Sequence, residues 1–227
     1  DETVATHLSL RCTRGTPELW NPEDGTTRPV QFEKKAGRTF IPVRLLPDQA
    51  VFLVMGKGER LSRKQEEDCA FCGLCRARRV EIGDWTLKFP ERSLKADSLC
   101  SYTDFEDEYV KYFSGTCTYT AGVTLDSAPA SAVLVLGEVC DLCRLTVNGQ
   151  DMGILWHSPF RRDIAKALRA GLNTIEVQVV NTWVNRLIGD ARPDCPKVTT
   201  YTTEKFYEAD SPLQKAGLLG PVALEIR

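Results

Sequence analysis

The sequence predicts an all-β fold in two units, and two observations predict it. Asn148-Gly149 stands between Leu145-Thr146-Val147 and the apolar run after Gln150. An Asn-Gly pair between strands calls for a tight turn with both central residues at positive φ, the strongest short hairpin signal. Beside it, Cys143, Leu145 and Val147 alternate with Arg144 and Thr146, and Ile175, Val177 and Val179 alternate with Glu176 and Gln178. Period two with one apolar face marks half-buried strands of an antiparallel sheet. The same alternation at Leu134–Leu136 and Val222–Ile226 places further strands around one core.

Along the chain, residues 1–56 read as a small β-rich unit. Thr39–Leu46 alternates, with Ile41, Val43 and Leu45 on one face, and Val51–Met55 reads as a buried strand. Asp24-Gly25 is a second hairpin turn, between Trp20 and Val30. About four or five short strands make a sheet too small to stand alone, so it is expected to pack on something larger. Residues 57–78, KGERLSRKQEEDCAFCGLCRAR, are a charged, Cys-containing linker with a helical tendency around Ser62–Asp68. Residues 79–227 form the larger unit. Its strands begin in Arg79–Phe89, and the polar stretch 91–108 reads as loop before Glu108–Phe113. Asp163 is placed to cap a short helix over Ile164–Ala170, with Lys166 and Arg169 toward its negative end. Gly171 stops that helix in the left-handed conformation, and Asn173 and Asn181 are expected to bond loop backbone at strand ends.

With 227 residues the chain has room for one large or two small domains. A net charge of -2 gives no electrostatic case for nucleic acid or an anionic membrane. No apolar stretch approaches the roughly 20 residues of a membrane span. The sequence has no initiator Met and no signal peptide, so a fragment or processed form is expected.

The ordered residues Phe113, Gly115 and Tyr119, then Val147-Asn148-Gly149 with Gly153, then Trp156, Phe160, Asp163 and Ile164, then Leu168, Gly171, Asn173 and Asn181 carry a resemblance. They resemble the sugar-binding domain of glycoside hydrolase family 2 and the β-sandwich near the C-terminus of large bacterial alpha-L-rhamnosidase-like hydrolases. Asn181–Asp190 and Gly217–Pro221 are similar to the rhamnosidase-like subgroup in particular. In the first unit, Pro17–Gly25 and Val51–Met55 resemble the β-rich segment that follows the catalytic barrel in the same hydrolases. The resemblance implies a galactose-binding-like jelly-roll β-sandwich over 79–227, preceded by the small unit. It also implies an extracellular or periplasmic setting. Since the matched residues have structural roles, function has to be argued from sites.

Cysteine is the odd feature, with 9 residues. An odd count leaves at least one thiol unpaired within the chain. Cys69-x-x-Cys72-x-x-Cys75 has spacing for zinc or an iron–sulfur cluster, with Cys100, Cys140 or Cys143 as the fourth ligand. Against a metal, Cys117 and Cys143 fall on inward strand faces, where a thiol is a small hydrophobe. Cys140 and Cys143, three apart on an extended chain, point to opposite faces. The resembled family carries no cluster at these positions. No metal and no cofactor are expected, and a disulfide among Cys69, Cys72, Cys75 and Cys100 stays open for an oxidising compartment.

No catalytic constellation emerges. His7 and His157 are the only histidines, and neither has a Ser or Cys partner motif. A glycosidase needs two carboxylates about 5–9.5 Å apart across the scissile bond. In the resembled enzymes those acids lie in a barrel domain, and no alternating strand–helix barrel fits in this chain. The expected binding surface is the loop set Trp156, His157, Trp183, Asn185, Arg186, Asp190 and Tyr201. Sugars stack on aromatic rings and bond Asn, Asp and Arg side chains through their hydroxyls. The competing reading makes both tryptophans packing residues and Arg186–Asp190 an internal ion pair. The expected function is thus a noncatalytic accessory part of a glycoside hydrolase. Its partners are carbohydrate (plant or bacterial polysaccharide fragments) and the catalytic domain of a parent hydrolase. The alternatives are a packing module without sugar affinity and a Cys-cluster metal-binding regulator.

Overall fold

A computed structural model describes residues 3–23, 25–45, 49–57 and 78–226. The chain divides into two compact units, Asp1–Arg76 and Ala77–Arg227. Nearly all of the expected linker, its helical stretch and Cys69, Cys72 and Cys75 lie outside the described residues.

The first unit holds β1 (Val4–Leu10), β2 (Thr16–Trp20), β3 (Thr27–Pro29), β4 (Glu33–Lys35), β5 (Arg38–Leu45) and β6 (Phe52–Gly56). They form two antiparallel three-stranded sheets, ordered β1-β5-β4 and β3-β2-β6. Leu19, Val30, Ile41 and Val43 are its buried core. The turn at Gly25 joins β2 to β3 as the sequence requires, with Trp20 opposite Thr27. The expectation of a buried strand at Val51–Met55 needs correction. Among the described residues β6 pairs only with β2, so as an edge strand it leaves Phe52 exposed and the next residues half-buried.

The second unit is a two-sheet antiparallel sandwich. Its strands are β7 (Arg78–Glu81), β8 (Trp85–Lys88), β9 (Ser93–Ala96), β10 (Thr116–Leu125), β11 (Ala132–Val135), β12 (Glu138–Cys140), β13 (Leu142–Val147), β14 (Gln150–Leu155), β15 (Arg161–Asp163), β16 (Gly171–Val180), β17 (Gly217–Gly220) and β18 (Ala223–Ile226). Six of them form a sheet in the order β14-β13-β16-β10-β8-β9, and four face it in the order β15-β11-β18-β7. β12 and β17 pair beside them. Inward side chains of both sheets, among them Trp85, Tyr119, Leu134, Leu145, Val177 and Leu224, share one core. The alternation dictates this. Along β16, Asn173, Ile175, Val177 and Val179 are buried, while the residues between them face outward.

Local chemistry sets the turns. Asn148 (φ 51°) and Gly149 (φ 80°) make the two-residue loop between β13 and β14, and both need the left-handed region. The Asn148 side chain fixes the hairpin to its neighbours. Its amide donates to the Ala167 carbonyl and to Asn173 Oδ1 at 2.8 Å, and its Oδ1 accepts from Thr174 N–H at 2.9 Å. Asn173 donates to the Arg169 and Gly171 carbonyls, and Asn181 donates to the Phe113 carbonyl and accepts from Gly115 N–H.

Two further expectations change. The helix over Ile164–Ala170 is only a 3-10 turn at Ala165–Ala167. Asp163 does accept a bond from Ala165 N–H, but Leu168 is already extended, and Gly171 opens β16 in the left-handed region rather than ending a helix. In the polar stretch 91–108, Ser93–Ala96 pairs with β8 as a strand, and a capped 3-10 turn follows at Tyr102–Asp104. Glu108–Lys111 is a short helix, α1, whose start is capped by Asp107 accepting from Tyr109 N–H. The second helix, α2, is Val184–Asp190.

Candidate functional site

The sheet register brings the ends of β14 and β16 to one rim. Cys143 of β13 stands opposite Leu155 on one side and Val179 on the other. β14 and β16 are both antiparallel to β13, so they run in the same direction and end two strand spacings apart, about 10 Å. Trp156 follows the first end and Asn181–Trp183 the second. Ser114 joins the same rim, its hydroxyl donating to the Thr182 carbonyl at 2.7 Å.

On this rim the aromatic candidates face solvent. Trp156 is 62% exposed and Trp183 59%. The His157 ring stands edge-on to Trp156 with centroids 4.7 Å apart, and its Nδ1 lies 2.6 Å from the Ser158 carbonyl. Tyr201, on the connection after α2, is 90% exposed.

The polar candidates behave differently. Asn185 is only 2% exposed. Its amide donates to the Gln214 carbonyl at 2.7 Å and its oxygen accepts from Gln214 N–H at 2.8 Å. Both ends of the side chain are therefore engaged in tying α2 to the chain before β17. Arg186 forms an ion pair with Asp190 one turn later on α2. The Asp190 side chain is 4% exposed and collects the next loop. Its Oδ2 accepts from the N–H of Thr199 (2.8 Å), the N–H of Thr200 (2.7 Å) and the Thr200 hydroxyl (2.8 Å). Burial alone would push its carboxyl up. The bonds from Thr200 and Thr199 and the Arg186 charge outweigh that and hold it down at about 2. Thus Asn185 and Asp190 organise backbone, and Arg186 is engaged by Asp190.

That organisation builds a groove the sequence did not reveal. Asn185, Ile188 and Gly189 are the buried face of α2. Gly189 is needed there, since a Cβ would lie 2.8 Å from the Tyr112 ring. Leu187, Asp190 and Ala191 instead border a cleft of about 400 Å³ shared with Val198, Tyr201, Lys205 and Phe206. Val198, Lys205 and Phe206 lie in an irregular connection without periodicity, so no sequence signal marked them.

The remaining cysteines are simpler. Cys117 and Cys143 are fully buried on the inner sheet face, and burial pushes both thiols up to about 12. Among the described residues no group of three or more His, Cys, Asp or Glu is arranged to hold a metal ion.

No family model matches the chain. Its whole length is similar to part of a rhamnosidase from Novosphingobium sp. PP1Y, at 38% identity and a TM-score of 0.87, covering 22% of that protein. Over 176 residues, 63% of the chain, it is 31% identical to a Formosa agariphila protein provisionally named a beta-glucuronidase, covering 15% of it. A beta-glucuronidase of Ruminococcus gnavus shares the fold over 67% of the chain and 29% of its own length, at 15% identity and a TM-score of 0.51. The resemblance to rhamnosidase-like hydrolases is therefore present in both sequence and structure, and the likeness to the Ruminococcus gnavus enzyme is one of fold. The chain spans about a fifth or less of the rhamnosidase and of the curated relative it matches.

Proposed function

We propose that this chain is a noncatalytic accessory part of a glycoside hydrolase of the alpha-L-rhamnosidase-like kind. In this reading its galactose-binding-like sandwich presents an aromatic rim to carbohydrate, and the catalytic acids belong to a barrel domain elsewhere in the parent protein. The observation that carries it is the full-length similarity to a rhamnosidase of which the chain is only 22%. Trp156 and Trp183, exposed at one end of the sheet, supply flat apolar faces of the kind sugars stack on. One or two stacked rings contribute little against the cost of ordering a mobile glycan, so affinity is weak, in about the millimolar range.

A second reading is favoured by one observation. Asn185 and Asp190 already hold their hydrogen bonds within the chain and Arg186 is paired with Asp190, which leaves Trp156 and Trp183 as apolar surface suited to packing on a catalytic domain. Calorimetry with rhamnose- and galactose-containing oligosaccharides separates the two. Carbohydrate contact predicts measurable heat that Trp183→Ala removes while the melting temperature stays unchanged. No heat with any glycan supports the packing role.

A further inference from the structure

We propose that the groove between α2 and the 198–207 segment is a binding site for uronate-containing oligosaccharides. The proposal rests on the accessory reading above and assigns that role a site and a ligand class. Trp183, Leu187 and Ala191 recur at i, i+4 and i+8, which places them on one stripe of α2. Leu187 and Ala191 line the groove, and Trp183 continues the stripe beyond it. From the loop, Tyr201 and Phe206 add two exposed rings. The volume of about 400 Å³ falls in the range of small-ligand sites.

Charge selects the sugar. Asp190 and Lys205 are the two charged residues lining the groove. Asp190 is neutralised by Arg186 and holds its hydrogen bonds with Thr199 and Thr200. Lys205 makes no ion pair among the described residues. Its ammonium is therefore the uncompensated charge of the groove. A neutral sugar leaves it only water, whereas a sugar carboxylate supplies an acceptor and a counter-charge. Asp190 anchors the near end of the segment at Thr199 and Thr200, which fixes where the groove begins.

The test is calorimetry on the whole chain with tri-galacturonic acid, and with a neutral galacto-trisaccharide as comparison. The expected result is binding of the acidic trisaccharide with a preference over the neutral one that fades in salt. Tyr201→Ala abolishes binding of both. Lys205→Gln weakens the acidic ligand about fivefold and leaves the neutral one unchanged. Leu172→Ala, exposed at the opposite end of β16, changes neither. No uptake of tri-galacturonic acid, equal affinity for the neutral trisaccharide, or loss of binding with Trp156→Ala but not with Tyr201→Ala overturns the proposal. Failure of the accessory reading shows itself separately. It is read from the activity of a hydrolase that carries this chain as a segment, which does not depend on whether the groove takes an acidic sugar.

Discussion

Asp190 shows how one side chain decides what a loop can do. Its carboxylate is nearly excluded from water, yet it is held ionised by donors from Thr199 and Thr200 and by Arg186. Its folded pKa of about 2 lies below the ordinary 3.8, so the folded state holds the proton less tightly than the unfolded state. Its contribution to stability is therefore complete above 3.8 and is lost as the pH falls from there through about 2. Urea titrations across that window should show the Asp190→Asn variant losing less stability with acid than the parent. At neutral pH, Asp190→Ala should cost about 2 kcal/mol, because it strands Arg186 and the Thr199 and Thr200 donors. Cys117 and Cys143 work in the opposite direction. Burial raises both thiols from 9.0 to about 12, so stability is unaffected below 9 and falls as the pH rises toward 12. Native-state alkylation followed by mass spectrometry should leave both unmodified until the protein is unfolded. Their burial was legible in the sequence, because each falls on the apolar beat of an alternating strand. The Arg186–Asp190 pair was also legible, but the engagement of Asn185 and Asp190 with distant backbone was not. Their partners at Gln214 and Thr200 are 29 and 10 residues away in a connection with no periodic signal.

At the level of elements, the hairpin at Asn148-Gly149 and the strands around it follow from rules that need only local sequence. Period two fixes which face is buried, and the positive-φ pair fixes the register, with Val147 opposite Gln150. Val177→Asp should unfold the second unit, since its side chain is fully buried between the sheets and a lone charge there has no partner. Glu176→Val, on the outer face, should change the denaturation midpoint little. Asn148→Ala should cost about 1–2 kcal/mol, because it removes three hydrogen bonds and a residue suited to the left-handed region. Where sequence reasoning failed, local and non-local terms competed. The segment after Asp163 has helical composition, but pairing of Asp163 with Val133 and of Gly171 with Leu125 holds both flanks extended and leaves room for one 3-10 turn. Ser93–Ala96 reads as polar loop because, as the edge strand, it has one neighbour and little to bury. β6 is misread in the opposite sense, as an apolar run that stays half-exposed at an edge.

For the whole molecule, the second of two β units carries the sandwich, the exposed aromatic rim and the groove organised by α2. Trp156 and Trp183 stand exposed at one end of the sheet. The similarity to a rhamnosidase over the full chain gives that surface a context, because there the equivalent region is continuous with a far longer protein. The accessory role is the central claim, and a segment exchange tests it most directly. Replacing the matching 22% of the Novosphingobium rhamnosidase with this chain and assaying hydrolysis of an aryl rhamnoside gives one number to compare with the parent enzyme, a deletion of the same segment, and the chain alone. The account predicts that the exchanged enzyme is active, while the deletion and the isolated chain are not. Hydrolysis by the isolated chain, or an exchanged enzyme as inactive as the deletion, would contradict it.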